Sequence, residues 1–208
     1  MDAREFIARR FGLDLNQPSP IEIPNTGRSR HLAPLFHDLG FKVGAEIGVL
    51  EGNFSECICI VNPGIELYCV DSWINYDGYY FDGVEEAEQK ARERLKNYNC
   101  HILHMTSMEA LSHIPDKSLD FVYIDGNHEF PYVAMDVAFW SKKVKTGGIV
   151  SGHDYSRGIR PRSNMHVPYV LSGYMEAYNI NPLFVFGREA KIAGERRDTR
   201  RSWMWVKP

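Results

Sequence analysis

Short apolar segments alternate with amphipathic segments along most of this chain. The apolar segments are four or five residues long and rich in Val, Ile, Leu and aromatic side chains, which is typical of buried strands. Five such strands are predicted, at residues 43–47, 67–71, 101–104, 121–124 and 148–151. Helices are predicted around them, at residues 31–39, 53–61, 84–97, 132–143 and 164–178.

The two ends of the chain have different patterns. Residues 183–186 and 202–206 are apolar segments joined by a polar, Arg-rich loop, which predicts an antiparallel strand pair. Residues 1–30 contain several prolines, so we expect a short helix and then an irregular arm. The whole pattern predicts an α/β fold: a Rossmann-like doubly wound sheet, mostly parallel, with a C-terminal antiparallel strand pair. We divide the chain into an N-terminal helical arm or cap at 1–40 and a main domain at 41–208.

A glycine-spaced turn follows the first strand. Gly44, Gly48 and Gly52 form the pattern GxxxGxxxG, and Asp71 ends the next strand, as in a nucleoside-binding βαβ unit. A dinucleotide would need GxGxxG, and Glu46 and Glu51 would repel its pyrophosphate. A cationic nucleoside without phosphate, such as S-adenosylmethionine, fits better. The alternative is a buried strand and tight turn with no ligand.

Acidic residues recur where the predicted parallel strands end. Because carboxyl ends of parallel strands share one edge, which is where ligands bind in such sheets, we expect these side chains to lie close together. They are Glu46, Asp71, Asp125 and Asp154. Clustered acids indicate a cationic ligand, a metal or shared protons.

Two histidines accompany the last two acids. His128 follows Asp125 by three residues, and His153 adjoins Asp154. A histidine with a pKa near 6.5 can act as a general base for a hydroxyl group at neutral pH. Each histidine could equally be a surface residue or a structural hydrogen-bonding residue, so the catalytic role is a hypothesis.

Composition excludes several classes of function. A net charge of −3 gives no overall attraction to nucleic acid or anionic membranes. No apolar run is long enough to span a bilayer, and the first residues lack the apolar core of a signal peptide. The four cysteines do not have zinc-site spacing, so we expect buried free thiols in a cytoplasmic protein.

Two predicted loops carry candidate ligand contacts. Residues 72–83 contain five aromatics, which suits either a loop that covers a ligand or one docked on the core. Three arginines follow Asp154 closely, at Arg157, Arg160 and Arg162. Because guanidinium groups pair with carboxylate or phosphate, they predict an anionic group on the substrate; a solvated basic loop is the alternative.

Four segments of the chain resemble a known family. The segments Gly44–Gly48, Val70–Trp73, Phe121–His128 and Gly147–Tyr155 are similar in order and spacing to class I S-adenosylmethionine-dependent methyltransferases. The resemblance is to small-molecule O-methyltransferases that include the macrolide-sugar and cephalosporin-tailoring enzymes, and it covers about residues 40–156. It implies a methyltransferase domain that acts on a small-molecule acceptor. It also allows a homo-oligomer.

The resemblance also implies roles for individual residues. Glu46 and Gly48 would line the methionine part of the cofactor, Asp71 would bind the ribose, and Ser107 and Met108 would lie near the adenine. The remaining implied cofactor contacts are Gly52, Ser72 and Asp125.

The resemblance leaves the use of a metal open. Asp125 and Asp154 match carboxylates that hold magnesium in the macrolide-sugar enzymes, and His128 matches the proposed base. His153 stands where those relatives usually have an acid, and imidazole suits a softer ion than magnesium. Two kinds of site are therefore compatible with the resemblance. One is a softer metal held by Asp125, Asp154 and His153, and the other is a metal-free site with a histidine base. The rival functions are an NAD-dependent oxidoreductase or sugar-nucleotide enzyme and a non-catalytic nucleoside-binding protein.

Overall fold

The computed structural model describes residues 2–75, 81–156 and 165–208. The strands in these residues are β1 (Ile21–Ile23), β2 (Val43–Ile47), β3 (Glu66–Asp71), β4 (Cys100–His104), β5 (Leu119–Ile124), β6 (Val144–Tyr155), β7 (Phe184–Phe186) and β8 (Arg201–Val206). The α-helices are α1 (Ala3–Phe11), α2 (Ala33–Asp38), α3 (Asn53–Val61), α4 (Val84–Leu95), α5 (Ser107–Ala110), α6 (Phe130–Lys143) and α7 (Val167–Ala177). A π-helix at Arg28–Leu32 precedes α2, and a 3₁₀ turn at Leu111–His113 follows α5.

The described strands form one sheet in the order β1-β7-β8-β6-β5-β2-β3-β4. Strands β6, β5, β2, β3 and β4 are parallel neighbours, while β8 pairs antiparallel with both β6 and β7. The predicted mostly parallel sheet with a C-terminal antiparallel pair is therefore confirmed. Because β6, β5, β2 and β3 are adjacent and parallel, their carboxyl ends share one edge of the sheet.

Helices cover both faces of the sheet. Successive residues of a strand point to opposite faces. Tyr123 therefore belongs to the core layer that the sheet forms with α1, α2, α3 and α4, and Val122 belongs to the layer formed with α5, α6 and α7. The first layer buries residues such as Phe36 and Ile58, and the second buries residues such as Trp140. This arrangement leaves the carboxyl edge as the place where a ligand can reach strand ends from both layers. Among the described residues, no helix is long and apolar enough to cross a membrane.

The N-terminal arm differs from its prediction as an irregular segment. Residues Ile21–Ile23 form β1, which pairs parallel with β7 at the edge of the sheet. Only three residues lie between Pro20 and Pro24, so the segment is too short for a hydrophobic period and its flanking prolines favour an edge position. The predicted helix at 31–39 is also divided, since a π-helix precedes α2.

Candidate active site

The turn after β2 packs closely against a neighbouring strand end. Gly48 has a φ of 90°, and a Cβ added there would lie 2.2 Å from the carbonyl oxygen of Asp125. Gly52 has a φ of 76°, and an added Cβ would lie 3.3 Å from Ala91 Cα in α4. Both glycines are thus required by backbone conformation and packing. Their contact with a cofactor stays a prediction.

Asp71, the last residue of β3, holds this turn. Its Oδ2 accepts hydrogen bonds from the backbone N–H groups of Val49 and Leu50, each at 2.8 Å, and its Oδ1 accepts one further backbone N–H. The N–H groups of Gly48 and Gly52 donate to backbone carbonyl oxygens. Four N–H groups of the turn, those of Gly48, Val49, Leu50 and Gly52, are therefore already bonded within the protein and are not offered to a pyrophosphate. Oδ1 retains acceptor capacity for a ribose hydroxyl, the role predicted for Asp71.

Glu46 lies beneath the turn, inside β2. Its side chain is buried and accepts a hydrogen bond from the Ser55 hydroxyl of α3. Burial raises the pKa of Glu46 to about 8, although Ser55 and the charge of Arg28 both favour the ionised form. The carboxyl group is therefore mostly protonated at neutral pH, and it adds little negative charge to the edge.

Two acids and two histidines meet at the ends of β5 and β6. His128 Nε2 lies 2.9 Å from Asp154 Oδ2 and 3.7 Å from Asp125 Oδ1. His153 Nδ1 lies 3.2 Å from Asp154 Oδ2 and 3.5 Å from Asp125 Oδ1. Each imidazole therefore contacts both carboxylates, so the sequence-predicted residues converge as expected from the order of the strands.

The backbone of β6 is irregular at this point. Asp154 has a φ of 62°, and the register of β6 against β8 shifts between Gly152 and Tyr155. The indole N–H of Trp203 in β8 donates to the carbonyl oxygen of His153 at 2.8 Å. Irregularities of this kind redirect side chains at the ends of strands and are common near functional sites.

The ion pairs shift the pKa of all four groups. Burial alone would lower the pKa of each imidazole, but hydrogen bonds and charges from Asp125 and Asp154 outweigh it and raise the pKa of His128 and of His153 to about 9. Burial opposes the charge on both acids, and the imidazoles outweigh it and hold the pKa of each carboxyl below its usual value. At neutral pH the cluster consists of two imidazolium ions and two carboxylates.

Two arginines, which the sequence reasoning missed, complete the cluster. Arg28 Nη1 lies 2.7 Å from Asp125 Oδ2, and Arg200 Nε lies 3.2 Å from Asp154 Oδ1. Neither arginine belongs to a periodic element or a spaced motif, so no local signal in the sequence points to it. The acids at the strand ends were interpreted as a sign of a cationic ligand, a metal or shared protons. In the structure Asp125 and Asp154 each have one guanidinium partner and two imidazole partners.

Two buried imidazole nitrogens make no hydrogen bond within the described part of the chain, but His128 Nε2 has Asp154 as its ion-pair partner. His153 Nε2 is buried and makes no hydrogen bond there. Buried polar atoms nearly always have a hydrogen-bonding partner, and a ligand can supply the missing one. His153 Nε2 is therefore a candidate contact for a substrate oxygen.

The predicted adenine residues lie beside a buried acid. Ser107, the first residue of α5, donates to Asp136 Oδ1 at 2.5 Å, and Met108 packs against the second core layer. Burial raises the pKa of Asp136 to about 6, against the opposing hydrogen bond from Ser107. Asp136 lies among Val133, Val137 and other buried positions of α6. An acid on an apolar helix face is the sequence pattern from which this buried acid could have been predicted. The predicted cofactor contact Ser72 directly follows β3 and is partly buried.

A metal would have to compete with existing cations. Ligand atoms of Asp125, His128 and Asp154 all lie within 4.8 Å of one another, a set that includes His128 in place of the predicted His153. Both carboxylates already form ion pairs with guanidinium and imidazole groups. Binding a divalent ion requires neutral imidazole and free carboxylate oxygens, so these residues fit a metal poorly in this arrangement. The metal remains a prediction.

Two predicted loops lie partly outside the described residues. The aromatic segment 72–83 is described only at its ends, and the arginines at 157, 160 and 162 fall in the gap before α7. The roles predicted for these loops therefore stay predictions.

Comparison with solved structures shows the same fold in O-methyltransferases. The O-methyltransferase from Bacillus cereus, in complex with SAH, is 16% identical with a TM-score of 0.62, covering 99% of this chain and 90% of that chain. The O-methyltransferase TomG from Streptomyces achromogenes, involved in tomaymycin synthesis and in complex with SAM, is 15% identical with a TM-score of 0.61. That match covers 100% of this chain and 91% of TomG.

Comparison with curated sequences gives a match to part of one relative, and comparison with family models gives a family. The uncharacterized protein y4gI from Sinorhizobium fredii (strain NBRC 101917 / NGR234) is 24% identical over 115 residues, which are 54% of this chain and 12% of y4gI. The chain thus spans about an eighth of the length of that relative. Residues 45–155, more than half of the chain, match the family model described as a methyltransferase domain. The chain therefore belongs to this family of methyltransferase domains.

Proposed function

We propose that this protein is an S-adenosylmethionine-dependent O-methyltransferase that acts on a small hydroxylated molecule carrying an anionic group. The observation that carries this proposal is the contact of His128 with Asp125 and Asp154, next to the glycine turn of a methyltransferase domain. A general base beside the cofactor end of the sheet is what transfer of a methyl group to a hydroxyl oxygen requires.

The cofactor supplies an electrophilic methyl group on a sulfonium. We propose that Asp71 and Ser72 bind its ribose, that Ser107 and Met108 contact its adenine, and that the methionine end lies along the edge residues; these are Glu46, Gly48, Gly52 and Asp125. SAH and SAM in two structures of the same fold support this choice. The internal hydrogen bonds of the turn disfavour the NAD-dependent alternative, whose pyrophosphate needs free N–H groups.

His128 takes the proton of the acceptor hydroxyl in this mechanism. The acceptor oxygen would form a bond to the methyl carbon as the sulfur–carbon bond breaks, and its proton would pass to His128 Nδ1, because Nε2 pairs with Asp154 and Asp125. Because its pKa is raised to about 9, His128 must first lose a proton, and turnover should rise with pH above neutrality. Asp125 and Asp154 orient the ring and stabilise the imidazolium that forms. His153 Nε2 is free to hold an acceptor oxygen.

The charge balance of the edge favours an anionic acceptor. Two carboxylates face four positively charged groups, which are Arg28, Arg200, His128 and His153. Glu46 offsets little of this charge because its pKa is raised to about 8. A hydroxy acid or a nucleotide-linked sugar would add the missing negative charge.

A radiolabelled methyl-transfer assay with matched neutral and anionic hydroxyl acceptors tests this proposal. We expect transfer to an anionic acceptor, with KM raised about 10-fold or more by Arg200→Gln, the loss of about one charge-assisted hydrogen bond. Arg196→Gln, an exposed residue of the same loop, should leave KM unchanged. Binding of S-adenosylmethionine without transfer to any acceptor would favour the non-catalytic alternative, and equal use of neutral acceptors would exclude the anionic group.

A further inference from the structure

Arg28 is held in the site by parts of the chain that are far apart in sequence. Its backbone N–H donates to Asp198 Oδ2 at 2.8 Å. The preceding residue, Gly27, has no room for a side chain, since an added Cβ would lie 2.6 Å from Asp198 Oδ1. The residue begins a π-helix, a rare element that is frequent at functional sites. The backbone of Arg28 is therefore positioned by the loop that precedes β8.

The guanidinium group of Arg28 is also held in place, by one aromatic ring and two hydrogen bonds. Its Cζ lies 5.0 Å from the centroid of the Phe54 ring, and Nη1 donates to Asp125 Oδ2 at 2.7 Å and to the Tyr123 hydroxyl at 3.3 Å. Burial opposes its charge, but Tyr123 and Asp125 outweigh burial and raise the pKa of Arg28 above its ordinary value. Arg28 is thus a fixed, permanent positive charge at the strand ends.

Part of the guanidinium remains available to a ligand. Within the described residues both of its hydrogen bonds start from Nη1, and 29% of the side chain is exposed. The Nε and Nη2 donors therefore remain for an anion, and a guanidinium presents paired donors that match a carboxylate.

The surroundings of Arg28 match the two charges of an amino acid. Glu46 lies in β2 and Asp125 directly follows the neighbouring strand β5, and the carboxyl groups of both residues interact with Arg28. An α-amino group and an α-carboxylate are separated by a single carbon, so an ammonium at Asp125, the ionised acid of the two, would place its carboxylate beside Arg28. A cofactor made of adenosine and methionine has this pair of charges at the end opposite the adenine.

We propose that Arg28 binds the α-carboxylate of the methionine part of the cofactor, an inference that rests on the proposed function. The N-terminal arm thereby supplies one contact of the cofactor site. The nucleoside part makes no contact with Arg28, so a cofactor fragment without the amino-acid tail does not depend on it.

Titration calorimetry with S-adenosylhomocysteine and with 5′-methylthioadenosine, which lacks the amino-acid tail, tests this contact. Arg28→Gln should weaken binding of S-adenosylhomocysteine about 10- to 100-fold, the range for a hydrogen bond to a charged group, and change 5′-methylthioadenosine binding less than about 2-fold. Arg28→Lys keeps the charge without the paired donors and should fall between. Arg30→Gln, an exposed residue of the same π-helix, should bind both ligands as the unmodified protein does.

The two ligands separate the outcomes. Unchanged S-adenosylhomocysteine binding in Arg28→Gln overturns the carboxylate contact and leaves the proposed function intact. Equal weakening of both ligands also overturns it, because Arg28 would then act on the structure of the site. Failure of the unmodified protein to bind S-adenosylhomocysteine rejects the proposed function, and this inference with it.

Discussion

The charge state of a single histidine here depends on residues from two strand ends. His128 contacts Asp125 after β5 and Asp154 within β6, and these acids raise its pKa to about 9. An isolated histidine would be largely neutral at pH 7. The acids therefore hold the ring in place and make its deprotonation a separate step. Arg28 and Arg200, which pair with the same acids, limit how strongly they can act on the ring.

Replacing His128 tests its role as base. His128→Ala should lower kcat by about 10²- to 10⁴-fold, the usual contribution of general base catalysis, while cofactor binding is kept. Steady-state kinetics and calorimetry measure the two effects, and His113→Ala, at an exposed position, serves as the control. A severe loss in His153→Ala with a mild loss in His128→Ala would assign the base to His153 instead.

At the scale of elements, the turn between β2 and α3 joins three strands. It is bound to β3 through Asp71 and packs against the residue that follows β5. Its glycines are consequently more constrained than glycines in surface turns. The position of the turn fixes the distance between the proposed cofactor contacts and the histidine pair.

Two glycine substitutions separate these constraints. Gly64→Ala adds only the strain of a positive φ, 78°, because nothing lies within 4 Å of an added Cβ, and should destabilise by about 1–2 kcal/mol. Gly48→Ala adds a contact of 2.2 Å with backbone atoms and should lose several times more, up to failure to fold. Urea unfolding measures both. Similar losses for the two variants would show that the turn can move away from β5.

At the scale of the whole molecule, buried acids make stability depend on pH. Asp136 is 3% exposed, and burial raises its pKa to about 6, above the ordinary value of 3.8. The folded state therefore binds this proton more tightly than the unfolded state. The stabilisation is complete below pH 3.8 and is lost as the pH rises through 6.

Asp136→Asn removes this titration and keeps an acceptor for Ser107. The variant should match the wild type in stability near pH 4 and exceed it by about 1–3 kcal/mol above pH 7, the free energy of a shift of about two pKa units. Urea unfolding at both pH values measures the difference. Asp82→Asn, at an exposed position, should show no such dependence on pH. A constant difference for Asp136→Asn would contradict the raised pKa.

How much of this molecule could be predicted from its sequence depends on the range of each interaction. Residues 121–124 were recognised as a strand because burial on both faces leaves a continuous apolar run, and the alternation of strands with helices led to the confirmed fold. The methyltransferase prediction is confirmed by the family match at residues 45–155. Convergence of Asp125, His128, His153 and Asp154 followed from strand order alone.

The missed features depend on contacts between distant residues. Strand β1 exists because β7 offers it an edge, and Arg28 reaches Asp125 across 97 residues of sequence. Neither interaction leaves a periodic pattern, since each is made by one short segment with a distant partner. Local reasoning therefore located the acids and could not locate the cations that neutralise them.

The bond between the Arg28 backbone and Asp198 has a consequence for synthesis of the chain. It joins residues 170 positions apart, and the Tyr123 hydroxyl that contacts Arg28 also meets Ser202 of β8. A ribosome releases β2, β3 and β5 long before either of these late residues. The histidines and acids can thus assemble on the emerging chain, but the backbone of Arg28 lacks its bond to Asp198 until residue 198 is free. Placement of the Arg28 backbone therefore waits for the synthesis of a segment 170 residues further along the chain.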